Sequence, residues 1–257
     1  MSTDNPYEPR FNQPEQPASV SVSNVEVRNT VPEFGDIFRH AWDTWKNNLA
    51  LVVGVSVIAF AISIALSIVA GLTEVGLQDN GRPTGASTTA AVIFNIVGNI
   101  IQIFLGIGEV RLLCALLRGQ PGEISMLFSG GERFLPTLGV SILFALMLFG
   151  GFLLLIVPGV IILFKFWPCY YLVIDRSVPV MKSFGLASET TRGNSLNTFL
   201  IFLSAMGIGL LGLLACVVGT VFAQPLAMLV ICCGYLMMSG QLIARPESEL
   251  LEPPVMN

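Results

Sequence analysis

Charge is what this sequence has least of. Only 12% of its 257 residues are Asp, Glu, Lys or Arg, about half the share of an ordinary soluble domain. That excludes a water-soluble globule wrapped in a charged shell. Histidine is scarcer still, with His40 alone, set on the polar face of a short amphipathic stretch. Five cysteines lie in or beside apolar runs: Cys114, Cys169, Cys216, Cys232 and Cys233. None has metal-ligand spacing, so no metal centre is expected, and each thiol reads as a small hydrophobe. Cys232-Cys233 reads as small packing residues in a helix rather than a redox pair. A P-loop, a dinucleotide glycine pattern and HExxH are all missing, as is a GxSxG elbow. The serines of "GEISMLFSGG" have no base beside them. These absences argue against an enzyme and imply no cofactor. No basic patch suggests nucleic acid, and the first 30 residues lack the basic start and short apolar core of a signal peptide.

What is present is apolar length. The chain is 53% hydrophobic, with a mean hydropathy of +0.75, and runs long enough to cross a bilayer recur along it. The expected fold is all-α: a polytopic membrane protein with six transmembrane helices in three hairpins, each hairpin preceded by an amphipathic interfacial helix. The spans read as Leu49 to Leu72, Ala90 to Arg118, Thr137 to Val157, Val160 to Ile174, Leu196 to Phe222 and Leu226 to Ile243. A polar loop (73–88) joins the first two. Pro158-Gly159 is the expected turn after the third, and Gln224-Pro225 the expected break after the fifth. The net charge of −4 sits in the tails. Residues 1–31, rich in Pro, Asn, Gln and Glu, read as a disordered cytoplasmic tail. Residues 244–257 read as a disordered acidic tail, leaving 32–243 as a neutral six-helix membrane domain.

Ahead of the first span, "PEFGDIFRHAWDTWKN" places Phe34, Ile37, Phe38, Ala41, Trp42 and Trp45 on one helical stripe, with charges on the other side. A second copy, "VMKSFGLASETTRGN", aligns Phe184 with Phe38, Ala187 with Ala41, Thr190 with Thr44, Arg192 with Lys46 and Asn194 with Asn48. A shorter copy, "ISMLFSGGERFLPT", is anchored on Phe128. The spacing predicts three repeated units, each a cuff helix followed by a membrane hairpin. Phe38, Trp42, Trp45 and Phe184 are the expected interfacial anchors. Each hairpin returns the chain to its starting side, so the three cuffs should share a face. Ten basic residues fall on that face and only Arg82 opposite, which places both termini in the cytoplasm.

Inside the spans, Asn95, Asn99, Gln102, Gly106 and Glu109 form one polar face. Two readings stay open: a hydrated path for a small solute or ion, or interhelical hydrogen-bond glue. Glue is preferred, because no other span offers a matching polar face. Glu109 and Lys165 fall at about equal depth, 14–15 Å from the span ends, so a buried ion pair between them is geometrically allowed. The alternative is that Lys165 snorkels and Glu109 meets Arg111. Ala205/Gly209 and Gly212/Cys216 read as helix-packing seams, and Trp167-Pro168 should interrupt span four.

The stretch "VPGVIILFKFWPCYYLVIDRSVPVMKSFGLASETTRGN" (157–194) combines a Pro-Gly turn, a basic residue about six further on, an aromatic-Pro site and a cuff ending in Arg-Gly-Asn. With "QPLAMLVICCGYLMMSG" and "FRHAW…WKNN", it resembles a broad group of bacterial six-helix integral membrane proteins of unknown function. That group includes the membrane domain attached to some glycerophosphoryl diester phosphodiesterases. The resemblance implies a multi-pass protein of the bacterial cytoplasmic (inner) membrane. The phosphodiesterase activity does not carry over, because this sequence has no appended catalytic domain. The expected role is a non-enzymatic module that organises lipid or partner contacts. The expected partners are the lipid bilayer and either a membrane-protein partner or a second copy of the chain. A small-solute or ion transporter and a subunit of a larger membrane complex are the alternatives.

Overall fold

The computed structural model describes residues 29–78, 82, 84–241 and 243, and only the backbone of 216–218. The expected tails therefore lie outside the described residues, apart from 29–31. Nine α-helices are described: α1 (Phe34–Asn47), α2 (Leu49–Gly76), α3 (Gly85–Leu117), α4 (Phe134–Leu154), α5 (Ile156–Phe166), α6 (Pro168–Arg176), α7 (Val180–Thr190), α8 (Ser195–Leu214) and α9 (Cys216–Met238). Two 3-10 turns, Ile124–Phe128 and Gly130–Arg133, lead into α4. Six helices are long and apolar enough to cross a membrane, with α5 and α6 together making one of them. The six spans form three hairpins, and the protein is a multi-pass membrane protein.

Two turns fall elsewhere than expected. The third span ends at Leu155, a single extended residue (φ −168°, ψ 157°) between α4 and α5. Pro158 sits in the first turn of α5, where its missing N–H would have had no helical partner in any case. The last hairpin turns at Ala215, and Pro225 lies inside α9. A proline interior to a membrane helix is tolerated where neighbours re-satisfy the freed carbonyl. Glycine contacts locate both turns. A methyl on Gly151 would lie 3.0 Å from the Gly159 Cα, and one on Gly219 would lie 2.6 Å from the Gly212 carbonyl oxygen. Only glycine lets the two arms of each hairpin close that tightly. Gly209 meets nothing within 4 Å, so the seam on α8 runs through Gly212 and not through the 205/209 pair. Trp167-Pro168 does break span four, as α5 stops at Phe166 and Pro168 opens α6.

The three units are arranged in a ring. α3, α6 and α9, which return the three hairpins to their starting side, pack on one another. Each lead-in segment packs on the last helix of the preceding hairpin: the first 3-10 turn on α3, α7 on α6, and α1 on α9. The outer helices follow the same rule, with α4 touching α3, α8 touching α5, and α2 touching α9. All three inner helices end in the same way, on a left-handed residue: Gly119 (φ 71°), Ser177 (φ 58°) and Gly240 (φ 67°). Beyond each, a backbone N–H reaches back to close the helix: Gln120 to Ala115 (2.9 Å), Val178 to Leu172 (3.4 Å) and Gln241 to Leu236 (3.0 Å). These ends cap the buried core, which is drawn from Leu105–Leu117 of α3, Pro168–Ile174 of α6 and Leu226–Met238 of α9.

Units one and three match in detail. Ile37 and Ser183, Ala41 and Ala187, Val52 and Thr198, and Val55 and Ile201 are all buried, at a constant offset along the chain. Asn48 and Asn194 each sit at the junction of lead-in and span, and each donates its side-chain amide to the carbonyl four residues back, Thr44 (3.1 Å) and Thr190 (3.3 Å). The middle unit is the divergent one, with 3-10 turns in place of an α-helix.

Asn29 and Thr30, expected in the tail, are tied down. Thr30 N–H donates to the Met238 carbonyl at 3.3 Å, and its hydroxyl donates to that of Met237. Asn194 donates to the Asn29 side-chain oxygen (2.9 Å) and the Thr30 carbonyl (2.8 Å), while Asn197 donates to the Pro32 carbonyl (2.7 Å). The two ends of the described chain therefore meet on one face, here called the terminal face.

Candidate functional site

The polar face of span two proves to be one wall of a groove. Ser63 and Ser67 of α2 face Asn95, Asn99 and Gln102 of α3 across a cavity of about 220 Å³. The expectation that no other span offers a matching polar face is thus corrected. It failed because serine hydroxyls are hidden in an apolar sequence when they bond within their own helix. Ser63 donates to the Ala59 carbonyl (2.9 Å) and Ser67 to that of Ser63 (2.9 Å). Asn95 and Asn99 likewise donate to the carbonyls of Ala91 (2.8 Å) and Asn95 (2.7 Å). Gln102 donates across the groove to the Ser63 hydroxyl. Of the stripe, Gln102 bridges the two arms of the hairpin, while Asn95 and Asn99 bond within α3.

Glu109 lies beyond this groove, at the terminal half of α3. A methyl on Gly106, one turn before it, would lie 3.4 Å from the Tyr170 hydroxyl of α6. The Glu109–Lys165 pair does not form. Lys165 is on α5, which packs on α4, α7 and α8, whereas α6 is the part of span four that meets α3. The break at Trp167 separates the two, so equal depth along the helices did not bring these residues to a common face. Arg111 does not meet Glu109 either, and donates to the carbonyl (2.8 Å) and hydroxyl (3.2 Å) of Ser129 in the 3-10 lead-in.

The ion pair that does form is Arg118–Asp175. Both guanidinium nitrogens donate to the carboxylate at 2.7 Å, a bidentate geometry that fixes orientation as well as charge. Tyr235 donates its hydroxyl to the same carboxylate at 3.1 Å, and Arg118 also reaches the Gln241 side-chain oxygen. One latch therefore joins the ends of α3, α6 and α9 at the terminal face. The hydrogen bond to Asp175 pushes the Arg118 guanidinium above its ordinary value, against the opposing effect of burial. In the sequence Arg118 closes span two and Asp175 falls one residue past the end of span four, with nothing to pair them. The available signal was an acid and a base at the ends of two helices that must meet.

The expected anchors divide. Ile37 and Ala41 are buried against the bundle, so α1 is docked as well as amphipathic. Beside them runs an aromatic row: Phe34–Phe38 (6.4 Å between centroids), Phe38–Trp42 (6.4 Å) and Trp42–Trp45 (5.2 Å). Trp42 is its most open member, at 39% exposure. Phe184 instead packs edge-on against Phe166 at 5.9 Å.

Where α5, α7 and the start of α8 converge there is a cavity of about 430 Å³, lined by Ile161, Phe164, Lys165, Ser188, Arg192 and Ser195 among others. The Thr191 hydroxyl donates to the Lys165 carbonyl at 3.0 Å. That bond sets Lys165 level with the end of α7 on the terminal face, and its ammonium lies 5.4 Å from the Phe166 ring centroid. Sequence reasoning missed this site, because Lys165 and Arg192 become neighbours only through the break at Trp167. Among the described residues, no three His, Cys, Asp or Glu side chains gather where a metal could bind.

The chain is similar to an uncharacterized protein of Mycobacterium bovis and to one of Mycobacterium tuberculosis. Each is 27% identical over 241 residues, covering 86% of this chain and 74% of the relative. No family model matches the chain, and no solved structure matches it.

Proposed function

We propose that this protein is a non-enzymatic integral module of the bacterial cytoplasmic membrane, with both termini in the cytoplasm. It organises lipid or partner contacts at the inner leaflet through α1 and α7. The observation that carries this reading is the stacked aromatic row of α1, with Trp42 open beside a helix already docked by Ile37 and Ala41. Aromatic rings of this kind favour the headgroup layer. The excess of Lys and Arg on the cuff face supports a cytoplasmic orientation. Membership of the six-helix group that includes the phosphodiesterase-linked membrane domain belongs to the same proposal. The test uses variants that keep Trp42 alone among the three tryptophans, reconstituted with lipids brominated at different depths. Strongest quenching by bromines nearest the headgroup is expected. Trp42 emission indifferent to every brominated lipid would sink the interfacial reading.

A transporter reading keeps one observation in its favour, the α2–α3 groove with its five polar side chains. Single cysteines at Asn99 and Gln102, in a protein cleared of native thiols, separate the two. Protection from a small impermeant thiol reagent in sealed membranes fits dry packing. Labelling there means that water reaches the groove, and favours transport. A role as subunit of a larger complex is tested by co-purification from native membranes.

A further inference from the structure

We propose that the cavity between α5, α7 and α8 binds a phosphate group, and that the group is the headgroup of an anionic phospholipid. The inference rests on the membrane-module reading above, which it makes specific. Two cations, Lys165 and Arg192, line one cavity of about 430 Å³ with the Ser188, Thr191 and Ser195 hydroxyls, and no carboxylate is among its lining residues. Neither cation makes an ion pair among the described residues, where the ion pairs are Asp43–Lys46 and Arg118–Asp175.

The repeat makes the missing partner informative. Lys46 and Asp43 in unit one correspond to Arg192 and Glu189 in unit three, with the same three-residue spacing. Lys46 pairs with Asp43 at 3.0 Å, but Arg192 lines the cavity and makes no ion pair with Glu189. Two like charges sharing a cavity repel unless an anion sits between them. A phosphate accepts charge-assisted bonds from guanidinium and ammonium together, and further bonds from hydroxyls.

The source of the phosphate follows from the walls. Ile161 and Phe164 form an apolar side, and Phe164 continues into an aromatic cluster with Phe199 (6.3 Å) and Phe202 (5.6 Å). Cationic pockets between membrane helices, at the level where spans begin, suit a headgroup whose acyl chains lie along the neighbouring helices.

The test is native mass spectrometry of the full chain released from detergent, with phosphatidylglycerol or phosphatidylcholine added. The expected result is one retained phosphatidylglycerol per chain, with no such preference for phosphatidylcholine. Lys165→Met combined with Arg192→Gln should weaken retention about tenfold or more, as befits the loss of charge-assisted bonds. Arg39→Gln combined with Lys46→Gln, which removes the same charge elsewhere on the terminal face, should leave retention unchanged. Arg192→Lys guards against misfolding and should keep most of it. Equal retention by the Lys165/Arg192 variant and wild type would overturn the site. Displacement of the lipid from wild type by inorganic phosphate alone would overturn the lipid assignment. Because Trp42 reports separately on α1, failure here leaves the interfacial reading standing, and the reverse also holds.

Discussion

The helix α3 passes through two regions of the molecule that obey different rules. Over Gly85–Phe104 only Ser87 is buried, while from Leu105 to Leu117 almost every side chain is. The same division holds elsewhere. Leu72 and Leu154, near the hairpin tips, are 69% and 77% exposed, whereas Leu172, Leu229 and Leu236 at the terminal half are completely covered. Both regions are apolar, so hydropathy does not distinguish them. In lipid an apolar face gains little by packing on another, and close fit and hydrogen bonds decide where helices touch. At the terminal half those devices are dense: the Arg118–Asp175 latch, the Asn194 hub and the Gly108–Leu127 contact. Toward the tips each hairpin is held mainly to itself, by the Gly151–Gly159 and Gly212–Gly219 approaches and by Gln102–Ser63.

The sharpest way to break this comparison uses two glycines on one helix. A methyl on Gly108 would sit 2.0 Å from the Leu127 carbonyl oxygen, whereas one on Gly98 meets nothing within 4 Å. Gly108→Ala should cost about 3 kcal/mol, the upper end of an overpacking penalty. Gly98→Ala should be neutral or stabilising by up to about 1 kcal/mol, through helix propensity. Thermal or denaturant unfolding in a fixed detergent reads both, and equal effects would mean that the two regions are packed alike.

Arg118→Met comes next. Asp175 has a side chain only 7% exposed, and stranding its charge should cost about 2–3 kcal/mol, below the full buried-pair penalty because Arg118 is partly open. Adding Asp175→Leu should recover much of that loss, since an apolar pair can replace a buried ionic one. A double variant no better than the single one would show that the latch is not the source of the effect.

The repeat offers a smaller contrast. Among the described residues, the Asn194 amide holds Asn29, Thr30 and Thr190, while that of Asn48 holds Thr44. Asn194→Ala should therefore cost about 1–2 kcal/mol and Asn48→Ala about 0.5 kcal/mol, with proteolysis ahead of α1 accelerated only in the former. Smallest of all is Lys165→Met. With no ion pair to lose, its unfolding should stay within about 0.5 kcal/mol of wild type, and a loss of several kcal/mol would revive the buried-pair reading.

The spans were legible because length and hydropathy suffice for them, and units one and three were legible because Phe38/Phe184 and Asn48/Asn194 keep both register and chemistry. Their junctions were not. Pro158 and Pro225 look like breakers, yet one occupies a helix start and the other is absorbed within a membrane helix, while the true turns at Leu155 and Ala215 carry no turn residue. The middle lead-in was visible as a copy but not as 3-10 geometry, in which Leu127 closes over Gly108. Site residues suffered most where depth stood in for direction. Glu109 and Lys165 lie at matched distances along their spans but not on a common face, and Lys165 lines a cavity with Arg192 instead.

A ring closed at its terminal face leaves its hairpin tips free of one another. Distances between paired spin labels in nanodiscs test it most directly. One pair would join Arg39 on α1 to Glu189 on α7, the other Leu72 on α2 to Leu154 on α4. A narrow distribution is expected for the first pair and a broad one for the second. Equally narrow distributions for both would contradict it.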